Sequence, residues 1–106
     1  YYDAGMYGNY DSYRIGHIWS IGTDYKIPAN GANFGNLYGL AYKHTNNTTG
    51  GAMAGGHQLV LCNSGTPGVA LGFAGGIWTS GTINAGNVQV NGNNVWHAGH
   101  FYLQSS

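Results

Sequence analysis

The sequence contains very little charge. Of its 106 residues, three are Lys or Arg and three are Asp, there is no Glu, and the formal net charge is zero. A nucleic-acid-binding surface needs clustered basic side chains, and the sequence has no such cluster. Charge also keeps most small monomers soluble. We therefore expect this chain to cover part of its surface by associating with copies of itself.

Residues that carry catalysis are equally scarce. The three Asp residues lie in the first 24 positions, and they do not form the carboxylate pair that glycoside hydrolysis normally requires. The serine motif G-x-S-x-G is missing. In GGAMAGG the spacing of a phosphate loop is present, but Gly56 and His57 stand where that motif has Lys and Ser or Thr. We expect no enzymatic activity and no cofactor.

Helix signals and long apolar runs are missing as well. No apolar run reaches the roughly 20 residues of a membrane-spanning helix, so we expect no membrane insertion. Blocks of Ala, Leu, Glu and Lys, which favour helices, do not occur. The single cysteine, Cys62, excludes a disulfide within the chain, and its apolar surroundings in QLVLCNS indicate a core position.

Glycine, asparagine and aromatic residues make up much of the chain. There are 20 Gly and 12 Asn, which raise the entropy cost of ordering the backbone. Nine Tyr, three Trp and three Phe offset this cost, because aromatic side chains bury large areas and favour strands. Disordered chains have few aromatics and high net charge, so the composition predicts a folded, all-β protein.

Short apolar runs predict the strands. Residues 14–27, RIGHIWSIGTDYKI, read as two strands around a GTD turn, with Ile15, His17 and Trp19 on one face. Residues 37–44 predict a strand with Gly39, Ala41 and Lys43 on one face and Tyr42 on the other. Further strands are predicted at 57–63, 69–73 and 76–81, with a long polar turn at 45–56 and a turn at 64–68 that contains Pro67.

The end of the chain gives the strongest hairpin signal. In VQVNGNNVWH, Asn91 and Gly92 readily adopt the positive φ angles of a tight turn. We predict a single domain over residues 1–106, with a body at 1–81 and a narrower, stalk-like hairpin segment at 82–106.

The five histidines raise the question of a metal site. His97 and His100 in HAGH are the closest pair in sequence, but residues three apart on a strand lie on opposite faces. One histidine from each of three chains around a threefold axis would be an alternative, since imidazole suits Zn, Ni or Fe. We assign no metal from the sequence and keep His97 and His100 as the candidates.

A block of sequence words resembles a known family. IWSIG, LYGLAYKHTNN, GGHQLVLC and GIWTSG, within residues 16–83, are similar to the C-terminal region of tail fibres of tailed bacteriophages and prophages. VNGNNVWHAGH also resembles a hairpin of fibre shafts. The resemblance implies an all-β, intertwined homotrimeric fibre tip built of short strands, hairpins and long Gly/Asn-rich loops.

The resemblance also has implications for processing and metal. In many such fibres a chaperone domain follows this block and cuts itself off behind a serine, so Ser106 becomes a candidate mature C-terminus. A chain end that did not arise by this cleavage would carry the same residues. Some fibre tips bind iron through G-x-H-x-H motifs, but HAGH has a different spacing.

The function that follows from the resemblance is host attachment. We expect a receptor-binding tip at the distal tail fibre of the virion, acting outside the host cell on a lipopolysaccharide glycan or an outer-membrane protein. Aromatic rings and amide or hydroxyl groups suit carbohydrate binding, and the candidate contacts are Tyr7, Tyr10, Tyr13, Tyr42, His44, Asn46 and Asn47. The alternative is a trimeric connector in a fibre whose recognition or depolymerase domain lies elsewhere.

Overall fold

The computed structural model describes residues 13–49, 52–53 and 55–95. Within these residues the chain forms seven strands and no helix, which confirms the predicted all-β class. This part of the chain accordingly contains no helix that could cross a membrane. The strands are β1 (Gly16–Ser20), β2 (Gly39–Lys43), β3 (Gln58–Asn63), β4 (Thr66–Gly72), β5 (Ile77–Thr79), β6 (Gln89–Val90) and β7 (Asn93–Asn94).

Five strands form one antiparallel sheet in the order β1-β2-β3-β4-β5. Sequential strands are therefore neighbours, and the connections between them range from a two-residue turn to the long segment at 21–38. The tightest connection joins β3 to β4 through Ser64 and Gly65, which both have positive φ (51° and 80°). Such angles match the twist of two-residue hairpins.

The turn predicted at 64–68 was too long, because Pro67 lies inside β4. Cys62 pairs with Pro67 and Leu61 pairs with Val69, so Gly68 is an extra residue opposite the β3 ladder. Proline lacks the N–H that a ladder requires, and a bulge is one of the few places in a sheet that accept it. The turn therefore shrinks to two residues and the strand begins at Thr66.

The prediction that His17 and Trp19 share a face was wrong, because β1 contains a second irregularity. His17 pairs with Ala41 and Trp19 pairs with Leu40, so the register shifts between them. Adjacent residues of β2 lie on opposite faces. His17 therefore shares a face with buried Ala41, whereas Trp19 lies on the other face and is 57% exposed. The predicted strand at YKI is not formed either, since residues 25–27 belong to the connection between β1 and β2.

One face of the sheet, here called the covered face, carries the core. Burial alternates along β2 as predicted, with Gly39, Ala41 and Lys43 buried. The sheet contributes small side chains, which leave room for larger ones from the connection at 21–38 and from Ile15. The buried cluster consists of Ile15, Ile27, Phe34, Leu37, Ala41, Val60, Cys62 and Ala70.

The opposite face, here called the open face, is also apolar. Two rows of side chains cross the strands in register: Trp19, Leu40, Leu61 and Val69, and beside them Tyr42, Leu59, Leu71 and Ile77. None of these residues is charged. Leu61, Leu71 and Ile77 are about half or more exposed, so the described residues leave this face largely uncovered.

Strands β6 and β7 form a separate two-stranded hairpin. Asn91 and Gly92 form its turn with φ of 51° and 83°, which confirms the predicted turn. Among the described strands, neither β6 nor β7 packs against the five-stranded sheet, and residues 80–95 are exposed throughout.

Candidate functional site

An aromatic and imidazole cluster lies where β2 ends, β3 begins and β4 ends. The aromatic cluster, as we call it, consists of Tyr42, His44, His57 and Phe73. The rings of Tyr42 and His57 are nearly parallel with centroids 6.0 Å apart, and the Phe73 ring lies 5.6 Å from Tyr42. These ends meet because the three strands are antiparallel neighbours, and the Phe73 N–H donates to the carbonyl of His57 at 2.9 Å.

Both imidazoles are hydrogen-bonded, and one of these bonds fixes the tautomer of His44. The Tyr42 hydroxyl is hydrogen-bonded to Nδ1 of His57. The backbone N–H of Asn46 donates to Nδ1 of His44 at 2.9 Å, so the neutral His44 ring carries its proton on Nε2. Burial lowers the pKa of His44 below its ordinary value, and the adjacent His57 lowers it further. The ring centroids of the two histidines are 4.4 Å apart.

The loop after β2 is anchored by the side chain of Asn47. Its Nδ2 donates to the carbonyls of Tyr13 (2.9 Å) and Ala32 (3.5 Å), and its Oδ1 accepts from the Thr49 N–H (2.9 Å). Asn47 is buried, whereas its neighbour Asn46 is exposed. Of these two predicted receptor contacts, only Asn46 is presented to solvent.

The far end of the same loop is anchored by Gln58. Its Nε2 donates to the carbonyls of Met53, Gly55 and Gly56 at 3.2–3.4 Å. Gln58 pairs with Lys43 on the covered face, and both are buried. Burial lowers the pKa of Lys43. The Gln58 side chain thus holds the far end of the loop close to the start of β3.

The other predicted site residues are divided between described and undescribed parts of the chain. Tyr13 is exposed, and its carbonyl oxygen accepts the hydrogen bond from Asn47, so it lies close to the 45–56 loop. Tyr7, Tyr10, His97, His100 and Ser106 lie outside the described residues. Tyr42 and His44 are brought together in the aromatic cluster, with ring centroids 6.4 Å apart.

His57 and Phe73 were not predicted as site residues. Neither belongs to a recognisable motif, and each lies just outside a strand, where sequence patterns are least informative. Both are exposed beside the half-buried Tyr42. The missing signal was the strand order. In an antiparallel order β2-β3-β4, the residues after β2, before β3 and after β4 lie at one end of the sheet.

Neither a metal centre nor an activated thiol is found in this part of the molecule. Among the described residues, no three His, Cys, Asp or Glu side chains lie close enough together to bind a metal ion. Burial raises the pKa of Cys62 to about 12. The thiolate is the reactive form of cysteine, so Cys62 is an inert core residue at neutral pH.

Chemically, the aromatic cluster offers flat rings, two imidazoles and a neighbouring exposed amide at Asn46. These groups suit noncovalent contacts with hydroxyl-rich ligands. Comparison of the chain with protein-family models, with curated proteins and with solved structures finds no match.

Proposed function

We propose that this chain is the receptor-binding tip of a tailed-bacteriophage tail fibre. It forms a non-enzymatic homotrimer at the distal end of the fibre and attaches the virion to a glycan or an outer-membrane protein of the host. The resemblance of residues 16–83 to tail fibres supports the family, and the open face of the sheet supports the assembly.

The open face is the observation that carries the proposal. A sheet in a stable monomer normally buries its apolar face, and large exposed apolar patches mark interaction surfaces. Here Leu71 and Ile77 are paired across β4 and β5, Leu61 lies in the neighbouring row on β3, and all three are about half or more exposed. The face bears no charge, so copies of it meet without burying an unpaired charge.

Recognition is assigned to the aromatic cluster and the exposed part of the 45–56 loop. Tyr42, His57 and Phe73 supply ring surfaces, and Asn46 supplies an amide that is exposed. A trimer presents three such sites, and their joint binding strengthens attachment even when each contact is weak.

Competition for adsorption tests the attachment function. The purified chain is added to host cells before phage whose fibres carry the same sequence, and free virions are counted. We expect the chain to bind the cells and to reduce adsorption, and the variant Phe73→Ala to compete less well at equal folded concentration. A folded chain that neither binds cells nor competes contradicts the proposed function.

A structural connector is the second candidate. Its support is that Thr45, Asn47 and Thr49 all use their side chains in hydrogen bonds within the chain, as parts of a scaffold do. Replacing residues 45–56 by the corresponding loop of another fibre separates the two functions. A changed host range supports recognition by this loop, and an unchanged host range supports the connector.

A further inference from the structure

A cleft of about 530 Å³ lies beside β1, at one edge of the five-stranded sheet. It shares no residue with the aromatic cluster. Its size falls in the range of small-molecule sites, which run from roughly 300 to 1,000 Å³. The lining residues include Trp19, Ser20, Thr23 and Lys26, which carry an indole, two hydroxyls and an ammonium group.

The irregularity in β1 explains why the Trp19 side chain is exposed beside the cleft. The register shift after His17 places the imidazole on the covered face, where it is buried, and leaves the Trp19 indole exposed at the edge of the sheet. An exposed tryptophan beside a concave surface provides a flat apolar platform. The C–H face of a sugar ring has the shape and polarity to pack on such a platform.

The polar groups of the cleft favour a ligand that carries negative charge. Lys26 is exposed and contributes an ammonium group. No carboxylate is found among the residues that line the cleft. Asp24 is close to them in sequence but does not line it. The Ser20 hydroxyl donates its proton to the carbonyl of Gly22 at 3.0 Å, which leaves its oxygen to accept a hydrogen bond. Thr23 adds a second hydroxyl.

We propose that this cleft is a binding site for an anionic sugar residue, one that bears a carboxylate or a phosphate group. The sugar ring packs on Trp19, its anionic group pairs with the Lys26 ammonium, and its hydroxyls bond to Ser20 and Thr23. The inference rests on the proposed function, because it identifies acidic surface polysaccharide as the receptor class. Charged hydrogen bonds are stronger than neutral ones, so Lys26 provides the selectivity.

Titration with three matched sugars tests the site. Glucuronic acid carries a carboxylate, glucose 6-phosphate carries a phosphate, and glucose carries neither. Binding to the full chain is followed by NMR through the indole N–H of Trp19. We expect at least one anionic sugar to bind about tenfold more tightly than glucose, which corresponds to one charged hydrogen bond. The tighter of the two anions identifies the source of the charge.

Two variants separate the local role of Lys26 from a general effect of charge. Lys26→Gln removes the ammonium from the cleft, and we expect it to abolish the preference for the anionic sugar. Arg14→Gln is the matched control, because it removes one exposed positive charge that does not line the cleft. If glucose binds as tightly as both anions, or if the two variants have equal effects, the proposal is overturned.

Cell binding distinguishes failure of the cleft from failure of the proposed function. Wild-type chain and Lys26→Gln are compared on host cells at matched native mass. Loss of cell binding in Lys26→Gln alone supports the cleft as a receptor site. If both chains bind the cells equally, the attachment function stands and the cleft assignment is overturned. If the wild-type chain does not bind cells, the attachment function fails, and with it the assignment of the receptor class.

Discussion

At the scale of single residues, two glycines determine how closely separate parts of the chain approach. A Cβ atom on Gly39 would lie 1.9 Å from the carbonyl oxygen of Trp19, and one on Gly65 would lie 1.9 Å from that of Gly35. Gly65 also has a positive φ of 80°. The first contact brings β2 against β1, and the second brings the β3–β4 turn against the connection that covers the core. A larger residue at either position forces backbone to move.

Asn47 gives a prediction about stability at the same scale. Asn47→Ala removes the side-chain hydrogen bonds that join the loop to Tyr13 and Ala32. We expect the free energy of unfolding to fall by about 1–3 kcal/mol, because each intramolecular hydrogen bond contributes roughly 0.5–1.5 kcal/mol and the substitution removes more than one. Chemical denaturation measures this change. Asn46→Ala is the control, and a comparable loss there would contradict the anchoring role of Asn47.

His44 gives a prediction about pH. Its pKa in the folded chain is lowered, so the unfolded chain binds more protons once the pH falls below about 6.5. His44 therefore contributes stability that is complete above that pH and is lost as the pH falls towards the folded pKa. We expect NMR titration to show a lowered pKa for His44, and His57→Asn to raise it. A His44 pKa unaffected by His57→Asn would contradict the coupling.

At the scale of secondary-structure elements, irregular positions matter as much as regular strands. The register shift in β1 sends Trp19 to the open face, and the bulge opposite Cys62 lets Pro67 lie inside β4. Hairpin turns with positive φ at 64–65 and 91–92 set the register of the strands that they join. The β6–β7 hairpin differs from the sheet, since two strands alone are marginally stable in water.

We predict that the hairpin unfolds independently of the sheet. Gly92→Ala strains a turn residue with φ of 83°, and we expect loss of the hydrogen bond from the Val95 N–H to the Val88 carbonyl. Amide exchange reports this bond, while the unfolding midpoint of the sheet should not change, because β6 and β7 do not pack against it. Gly81→Ala is the control, as its Cβ meets nothing within 4 Å. A shared loss of sheet stability would contradict this independence.

At the scale of the whole molecule, the sheet is covered on one side only. The connection at 21–38 and Ile15 bury the covered face, while the described residues leave Leu61, Leu71 and Ile77 exposed on the other. Burying such side chains stabilises a protein by roughly 25 cal/mol per Å² of apolar surface. Association of copies through the part of the open face on β3, β4 and β5 would supply this burial and would leave Trp19 and Tyr42 outside the contact. It would explain how a chain so rich in glycine stays folded.

Native mass in solution gives a prediction at this scale. We expect light scattering to find about three times the chain mass of 11.2 kDa. Leu71→Lys should reduce the mass, because it buries a charge in the contact, whereas Ile83→Lys, at a more exposed position outside the sheet, should not. A wild-type monomer would contradict the assembly. The trimer should also survive a chelator, and its dissociation would instead favour a metal at His97 or His100.

Much of the local structure was predictable from residue types. The all-β class, the alternation of β2 and the Asn91-Gly92 turn follow from missing helix formers, period-two burial and the φ preferences of Asn and Gly. The faces of β1 were not predictable, because one extra residue in a strand reverses every side chain beyond it. Pro67 misled the prediction for the same reason, since its acceptance depends on a bulge formed with a partner strand.

For the candidate site, too, one part was predictable from the sequence and another part was not. The sequence by itself determined which side-chain groups are present, namely aromatic rings, amides and hydroxyls with very few charges. Only the tertiary structure decided which of these groups are exposed and which lie together. It buried Asn47, brought His57 and Phe73 to Tyr42, and placed Trp19 beside Lys26. The physical reason is that exposure and proximity depend on strand pairing between distant segments, which no local pattern of residues encodes.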